Sequence, residues 1–206
     1  MQQYRHCVQA LVQVGSDLYH RGWSPATSSN YSLRVDAQHC AITVSGKHKG
    51  ALSADDIMLV DLDGRPCMDK KPSAETALHV WLYRRYPEVN AVLHTHSQTA
   101  TVLTRLFGGD RICLEGYELQ KAFEGVTSHQ SELTLPVFEN TQDIVELAAE
   151  VDAWLAAHPN PWAYLIRGHG MYAWGAGLDD CLRHLEALEY LLACELDVLR
   201  IKGLDA

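Results

Sequence analysis

The sequence predicts one α/β domain over residues 1–206, with a largely antiparallel or mixed sheet covered by helices. Two observations carry this. Segments of helical and strand periodicity alternate along the chain, with no repeat, low-complexity tract or long linker to divide it. Several neighbouring strand segments are separated only by short turns, which suits antiparallel pairing. A hydrophobic content of 47% supplies enough apolar surface for a core in a chain of this length.

Taken in order, residues 3–20 form an amphipathic helix, because Cys7, Ala10, Leu11, Val14 and Leu18 recur at three- and four-residue spacing. Gly22 ends it, and a hydroxyl-rich loop leads into a strand pair over Tyr31–Val35 and Cys40–Ser45. The second strand empties into Ser45-Gly46-Lys47-His48-Lys49-Gly50, a glycine-bounded loop with two lysines. Ser53 caps a brief helical turn, and Ile57–Leu62 is a strand closed by the turn signal Asp63-Gly64. Ser73 is the expected N-cap of a helix to about Tyr86. Val89–Thr95 is a strand, and Ser97 caps the helix that follows to about Phe107. Ile112–Leu114 is a weak strand and a short helix starts near Gly116. Leu133–Phe138 is a strand, followed by a helix from Thr141, its expected cap, to Ala157. Two strands, Ala163–Ile166 and Met171–Trp174, are joined through Arg167-Gly168-His169-Gly170. The last helix, from Leu178 to about Ile201, lines up leucines 182, 185, 188, 192, 196 and 199 on one side.

Composition narrows the function. A formal charge of −9 argues against nucleic acid or an anionic membrane as partner, while leaving a small anionic substrate open. No apolar run reaches bilayer length, and the N-terminal residues lack the apolar centre of a signal peptide, which predicts a cytoplasmic protein. Six scattered cysteines read as reduced thiols.

The chemistry gathers around Ala91-Val92-Leu93-His94-Thr95-His96-Ser97. On a strand, side chains two apart share a face, so His94 and His96 can share one divalent cation. His169, between two glycines in a later β-rich run, is the candidate third ligand, small neighbours allowing close approach. Three protein ligands with an open position mark a catalytic metal. Asn30, Ser45, Gly46, Lys47 and Ser73 are plausible phosphate donors, the last at a helix start that favours anions. Two carboxylates compete as acid/base. Glu75 lies at a helix start, and Glu118 lies among Tyr117, Leu119 and Phe123, where apolar surroundings would raise its pKa. Spacing alone does not choose between them. His48, His79, His129, His158 and His184 are read as surface or satisfied core histidines.

Together, His94-Thr95-His96, Gly168-His169-Gly170, Lys71-Pro72-Ser73-Ala74-Glu75 and the Ser45-Gly46-Lys47 loop resemble the class II aldolase/adducin family over nearly the whole chain. Val44–Gly50, Glu115–Ala122 and Arg167–Gly175 are similar to one branch of it, hydro-lyases that act on 5-methylthioribulose 1-phosphate in methionine salvage. The resemblance implies a three-layer αβα fold and a homotetramer with active sites near subunit boundaries. It implies one zinc ion per subunit, held by His94, His96 and His169, and places Asn30, Ser45, Gly46 and Ser73 at the substrate phosphate. Family aldolases use the glutamate matching Glu75 in catalysis or at the metal, whereas the dehydratase branch uses the one matching Glu118. The implied reaction is a metal-assisted loss of water. A proton leaves C3, the C4 hydroxyl departs with a proton from Glu118, and the enol becomes 5-methylthio-2,3-dioxopentyl phosphate. The alternatives within the family are a zinc aldolase or 4-epimerase acting on a ketose phosphate, and an adducin-like interaction module without activity.

Overall fold

The computed structural model describes residues 2–158 and 162–203; Met1, 159–161 and 204–206, which the expected 1–206 domain also spans, lie outside the described residues. Among the described residues the strands are β1 (Asn30–Arg34), β2 (His39–Thr43), β3 (Ile57–Asp61), β4 (Ala91–Thr95), β5 (Arg111–Leu114), β6 (Leu133–Phe138), β7 (Ala163–Ile166) and β8 (Gly170–Gly175). The α-helices among the described residues are α1 (Gln2–His20), α2 (Thr76–Arg85), α3 (Gln98–Leu106), α4 (Ile144–Ala157) and α5 (Leu178–Lys202). The strands form one sheet in the order β3-β2-β1-β4-β8-β7-β6-β5. Each neighbouring pair is antiparallel except β6–β7, which is parallel and connected through α4. The expected mixed, largely antiparallel sheet is what the chain forms.

Strand alternation builds two cores, one on each side of the sheet. On one side Tyr31, Leu33, Leu93, Met171 and Ala173 meet α1, α3 and α5 through Leu11, Leu18, Leu103, Leu188 and Leu192. On the other, Ile42, Val92, Tyr164, Tyr172 and Trp174 meet α2 and α4 through Leu78, Leu82, Leu147 and Val151. This is the three-layer αβα arrangement. Each fully buried leucine removes apolar surface worth about 2 kcal/mol, so the stripe on α5 alone ties that helix firmly to the sheet. Leu185, Leu188, Leu192 and Leu196 are buried there, together with Leu191.

Several element boundaries differ from expectation. Helix α2 begins at Thr76 with Glu75 at its N-cap, not Ser73. Pro72 instead bridges to Val44, and Ser73–Thr76 form a turn in which the Thr76 backbone N–H and hydroxyl both donate to the Ser73 carbonyl. Helix α4 is capped by Asp143, whose side chain accepts from the Glu146 N–H at 3.0 Å; Thr141 stands two residues earlier and accepts from the Asp143 N–H. The segment after Gly116 is a 3-10 helix over Glu118–Ala122, and β2 stops at Thr43, before Ser45. Ser97 does cap α3, accepting from the Ala100 N–H at 3.1 Å.

Candidate metal centre

The site grows out of a row of side chains across the middle of the sheet. Asn30 on β1 pairs in register with His94 on β4, and His94 with Tyr172 on β8. All three therefore point to the α2 side. The His94 ring stacks on Tyr172 at 4.1 Å between centroids. Glu75, at the start of α2, comes down onto this row. Its Oε2 accepts from Asn30 Nδ2 at 2.7 Å and from the Tyr172 hydroxyl at 3.0 Å. His79, one turn further along α2, is fully buried and holds Asn30 from the other side, with its Nδ1 at 2.7 Å from the Ser32 hydroxyl. Its reading as a satisfied core residue holds.

His96 leaves the sheet just beyond β4, with its backbone N–H donating to the Trp23 carbonyl at 2.8 Å. His169 sits in the β7–β8 turn. Its glycine neighbours serve a different purpose from the expected one. Gly168 adopts φ 63, which a turn of this hand needs. Gly170 packs so tightly on β4 that a Cβ there would stand 2.0 Å from the Thr95 carbonyl oxygen. The glycines thus press the turn carrying His169 against the strand carrying His94.

The result is a cluster of ligand atoms from Glu75, His94, His96 and His169, all within 4.8 Å of one another. His94 Nε2 and His96 Nε2 lie 2.8 Å apart, and His96 Nε2 and His169 Nε2 3.1 Å apart. The carboxylate closes the ring, with Oε2 3.2 Å from His94 Nε2 and Oε1 3.3 Å from His169 Nε2. His94 donates from Nδ1 to the Met171 carbonyl at 2.9 Å, which leaves its Nε2 a lone pair. His169 Nδ1 faces Asn140 Oδ1 at 3.2 Å, leaving its Nε2 likewise. One proton on His96 could satisfy at most one of these neighbours, so the facing lone pairs fit a shared cation.

Electrostatics agree. Burial, chiefly, pulls His94 down to about 4 and His96 to about 3, so both imidazoles are neutral ligands at neutral pH. Burial would raise Glu75, but the field of His94 and the Asn30, His169 and Tyr172 contacts outweigh it and hold the carboxyl at about 2. Neutral imidazole nitrogens and a carboxylate are the donor set of a divalent metal. Glu75, left open by spacing, belongs to this centre.

A cleft of about 270 Å³ opens beside the cluster, lined by Asn30, Ser45, Gly46, Ser73, Glu75, His96 and His169 among others. Four of the five expected phosphate donors therefore meet at one place. Asn30, however, already spends both ends of its amide on Glu75 and His79. Lys47 is not in the cleft wall; half exposed, it bridges to Asp56 at 3.1 Å. Lys49 lines the cleft in its place. Tyr172 and Lys49 are the residues that sequence reading passed over. The signal for Tyr172 was a polar ring in an otherwise apolar strand; nothing in the local sequence separates Lys49 from Lys47.

Glu118 lacks, in the single chain, the apolar surroundings expected of it. It stands on the surface paired with Lys121, with His129 Nδ1 3.8 Å from its second oxygen. The hydrogen bond from Lys121 lowers its pKa, where an apolar pocket would have raised it. Within one chain it takes no part in the metal cluster.

Known proteins complete the picture. The model for the class II aldolase and adducin N-terminal domain matches residues 9–196. Methylthioribulose-1-phosphate dehydratase of Marinobacter nauticus is 58% identical over 201 residues, covering 97% of each chain. The Pseudomonas aeruginosa protein of the same name is 57% identical over 194 residues, 94% of this chain and 95% of its own. Among solved structures, L-fuculose-1-phosphate aldolase from Thermus thermophilus superposes with a TM-score of 0.76 at 28% identity, covering 95% of this chain and 97% of its own. YgbL from Escherichia coli shares the fold, with a TM-score of 0.81 at 23% identity over 100% of this chain and 93% of its own. The chain belongs to the class II aldolase and adducin family.

Proposed function

We propose that the protein is a hydro-lyase of methionine salvage, converting 5-methylthioribulose 1-phosphate to 5-methylthio-2,3-dioxopentyl phosphate and water, with zinc at the metal centre. One observation carries this: an intact Glu75, His94, His96 and His169 cluster in a chain 58% identical, over 97% of its length, to a methylthioribulose-1-phosphate dehydratase. When bound, zinc would polarise the ketose carbonyl and so acidify the neighbouring C–H. His94, His96 and His169 would hold the ion, and Glu75 would supply the negative charge beside it. Ser45, Gly46 and Ser73 receive the phosphate, which fixes the sugar chain relative to the cluster.

Glu118 gives the proton to the departing C4 hydroxyl. Since it is exposed and outside its own chain's cluster, it acts on a neighbouring copy's cleft. This reading requires an oligomer, which we take to be a homotetramer with sites at subunit boundaries. In the free chain the hydrogen bond from Lys121 lowers the Glu118 pKa; enclosure between subunits would act in the opposite direction by removing water. A cytoplasmic location is supported by six free cysteines; among the described residues no helix is long and apolar enough to cross a membrane.

A zinc aldolase is the second reading, favoured by the position of Glu75 at the cluster and by the structural likeness to L-fuculose-1-phosphate aldolase. Product analysis by mass and phosphorus NMR separates the two. Zinc-loaded protein mixed with 5-methylthioribulose 1-phosphate should yield a dicarbonyl phosphate lighter by one water. Dihydroxyacetone phosphate plus a methylthio aldehyde would mean cleavage instead.

A further inference from the structure

We propose that Lys49 is the cation that receives the substrate's phosphate, fixed for that role by the packing of its 3-10 turn on α1. This rests on the ketose-phosphate reading above. Lys49 is 1% exposed, yet its ammonium has only neutral partners. Nζ donates to the Lys47 carbonyl at 2.7 Å and to the Thr27 carbonyl at 3.4 Å. An ammonium carries three donors, so one remains. Among the described residues no carboxylate forms an ion pair with it; Asp56, the acid whose field reaches it, is bridged to Lys47 at 3.1 Å. A buried cation without a counter-charge is costly to keep. Lys49 lines the same cleft as Ser45, Gly46 and Ser73, so a phosphate bound there supplies the missing charge. Burial pulls the free ammonium down to about 8, as expected for a cation waiting on an anion.

The turn Lys49–Ala51 cannot drift. A Cβ on Gly15 of α1 would lie 2.8 Å from the Lys49 carbonyl oxygen and 2.7 Å from Leu52 Cδ1. A Cβ on Gly50 would lie 2.3 Å from the Tyr19 ring. Two glycines, one on each partner, let turn and helix touch backbone to side chain. That contact aims the lysine inward, whereas Lys47, two residues earlier, points to Asp56 and solvent.

The test uses inorganic phosphate as probe, by calorimetry on the metal-loaded protein, with Lys49→Met and Lys47→Met compared at equal metal content. Lys49→Met should weaken phosphate binding roughly tenfold to a hundredfold, the worth of a charge-assisted contact. It should raise KM for the ketose phosphate by a similar factor while kcat changes by less than about threefold, the pattern of lost uniform binding. Lys47→Met should lose less on both measures. Wild-type phosphate affinity in Lys49→Met, or an equal or larger loss in Lys47→Met, overturns the assignment. The phosphate measurement needs no turnover, so a wild-type protein that fails to dehydrate the ketose phosphate refutes the functional reading and leaves this result intact. Should Lys49→Met not fold, the Lys49 Nζ resonance of 15N-lysine-labelled wild type, assigned with Lys49→Arg, must shift on adding phosphate. A resonance that stays put counts against the proposal.

Discussion

Tyr172 shows how much a single hydroxyl can govern. It is fully buried, donates to Glu75 Oε2 and stacks against His94. Removing that hydroxyl takes away a bond to a charged acceptor worth about 1.5–3 kcal/mol. Tyr172→Phe is therefore expected to fold and to bind zinc about tenfold to a hundredfold more weakly, measured by competition with a chromophoric chelator; unchanged affinity would detach Tyr172 from the centre. Acid should act through the histidines. His79 and His94 are held at about 4 and His96 at about 3, all below the ordinary 6.5. The unfolded chain then takes up protons first, so this stability is complete above 6.5 and is lost as pH falls toward 4. The melting temperature of metal-free protein should drop steadily from pH 7 to about 4.5. A flat profile would mean these rings are not buried as neutral bases.

At the scale of elements, the decisive contact is between β4 and the start of β8. His94 is on the first, His169 just before the second, and Gly170 lets them close. Gly170→Ala forces its methyl into the Thr95 carbonyl, so the strands must part. We expect a loss of about 2–4 kcal/mol by denaturant unfolding and zinc binding well below one ion per chain. An alanine variant with wild-type stability and full zinc would show that the turn tolerates separation. Capping repeats the lesson on a smaller scale. Ser73 and Thr141 have the chemistry of N-caps, but the chain places Glu75 and Asp143 at those positions. Glu75 is an N-cap whose side chain bonds no helix N–H, because its carboxylate is turned to the histidines.

For the whole molecule, the separation of Glu118 from the cluster is the main fact. If the acid comes from a neighbouring subunit, inactive chains can repair one another. Glu118→Gln and His94→Ala should each be inactive alone, the first zinc-loaded and the second zinc-free. Co-expressed and purified as mixed oligomers, they should recover a measurable part of wild-type turnover, because some boundaries pair an intact Glu118 with an intact cluster. No recovery in oligomers verified as mixed would place Glu118 in its own chain's reaction or outside the reaction altogether.

Much of this protein follows from local sequence. Alternation and helical spacing determine the α/β class, the sheet's strands and the two apolar faces, because each depends on residues within a few positions of one another. His94-Thr95-His96 determines a shared face by the two-residue period of a strand, and Ser97 a helix start by its own hydroxyl. Tertiary structure decided what depends on groups far apart in the chain. Asn30, His94 and Tyr172 form one row only because β1, β4 and β8 are neighbours in the sheet. Glu75 joins the metal centre, Lys49 takes the place expected of Lys47, and Glu118 stays outside, because burial and charge at each position come from residues that no local spacing brings together.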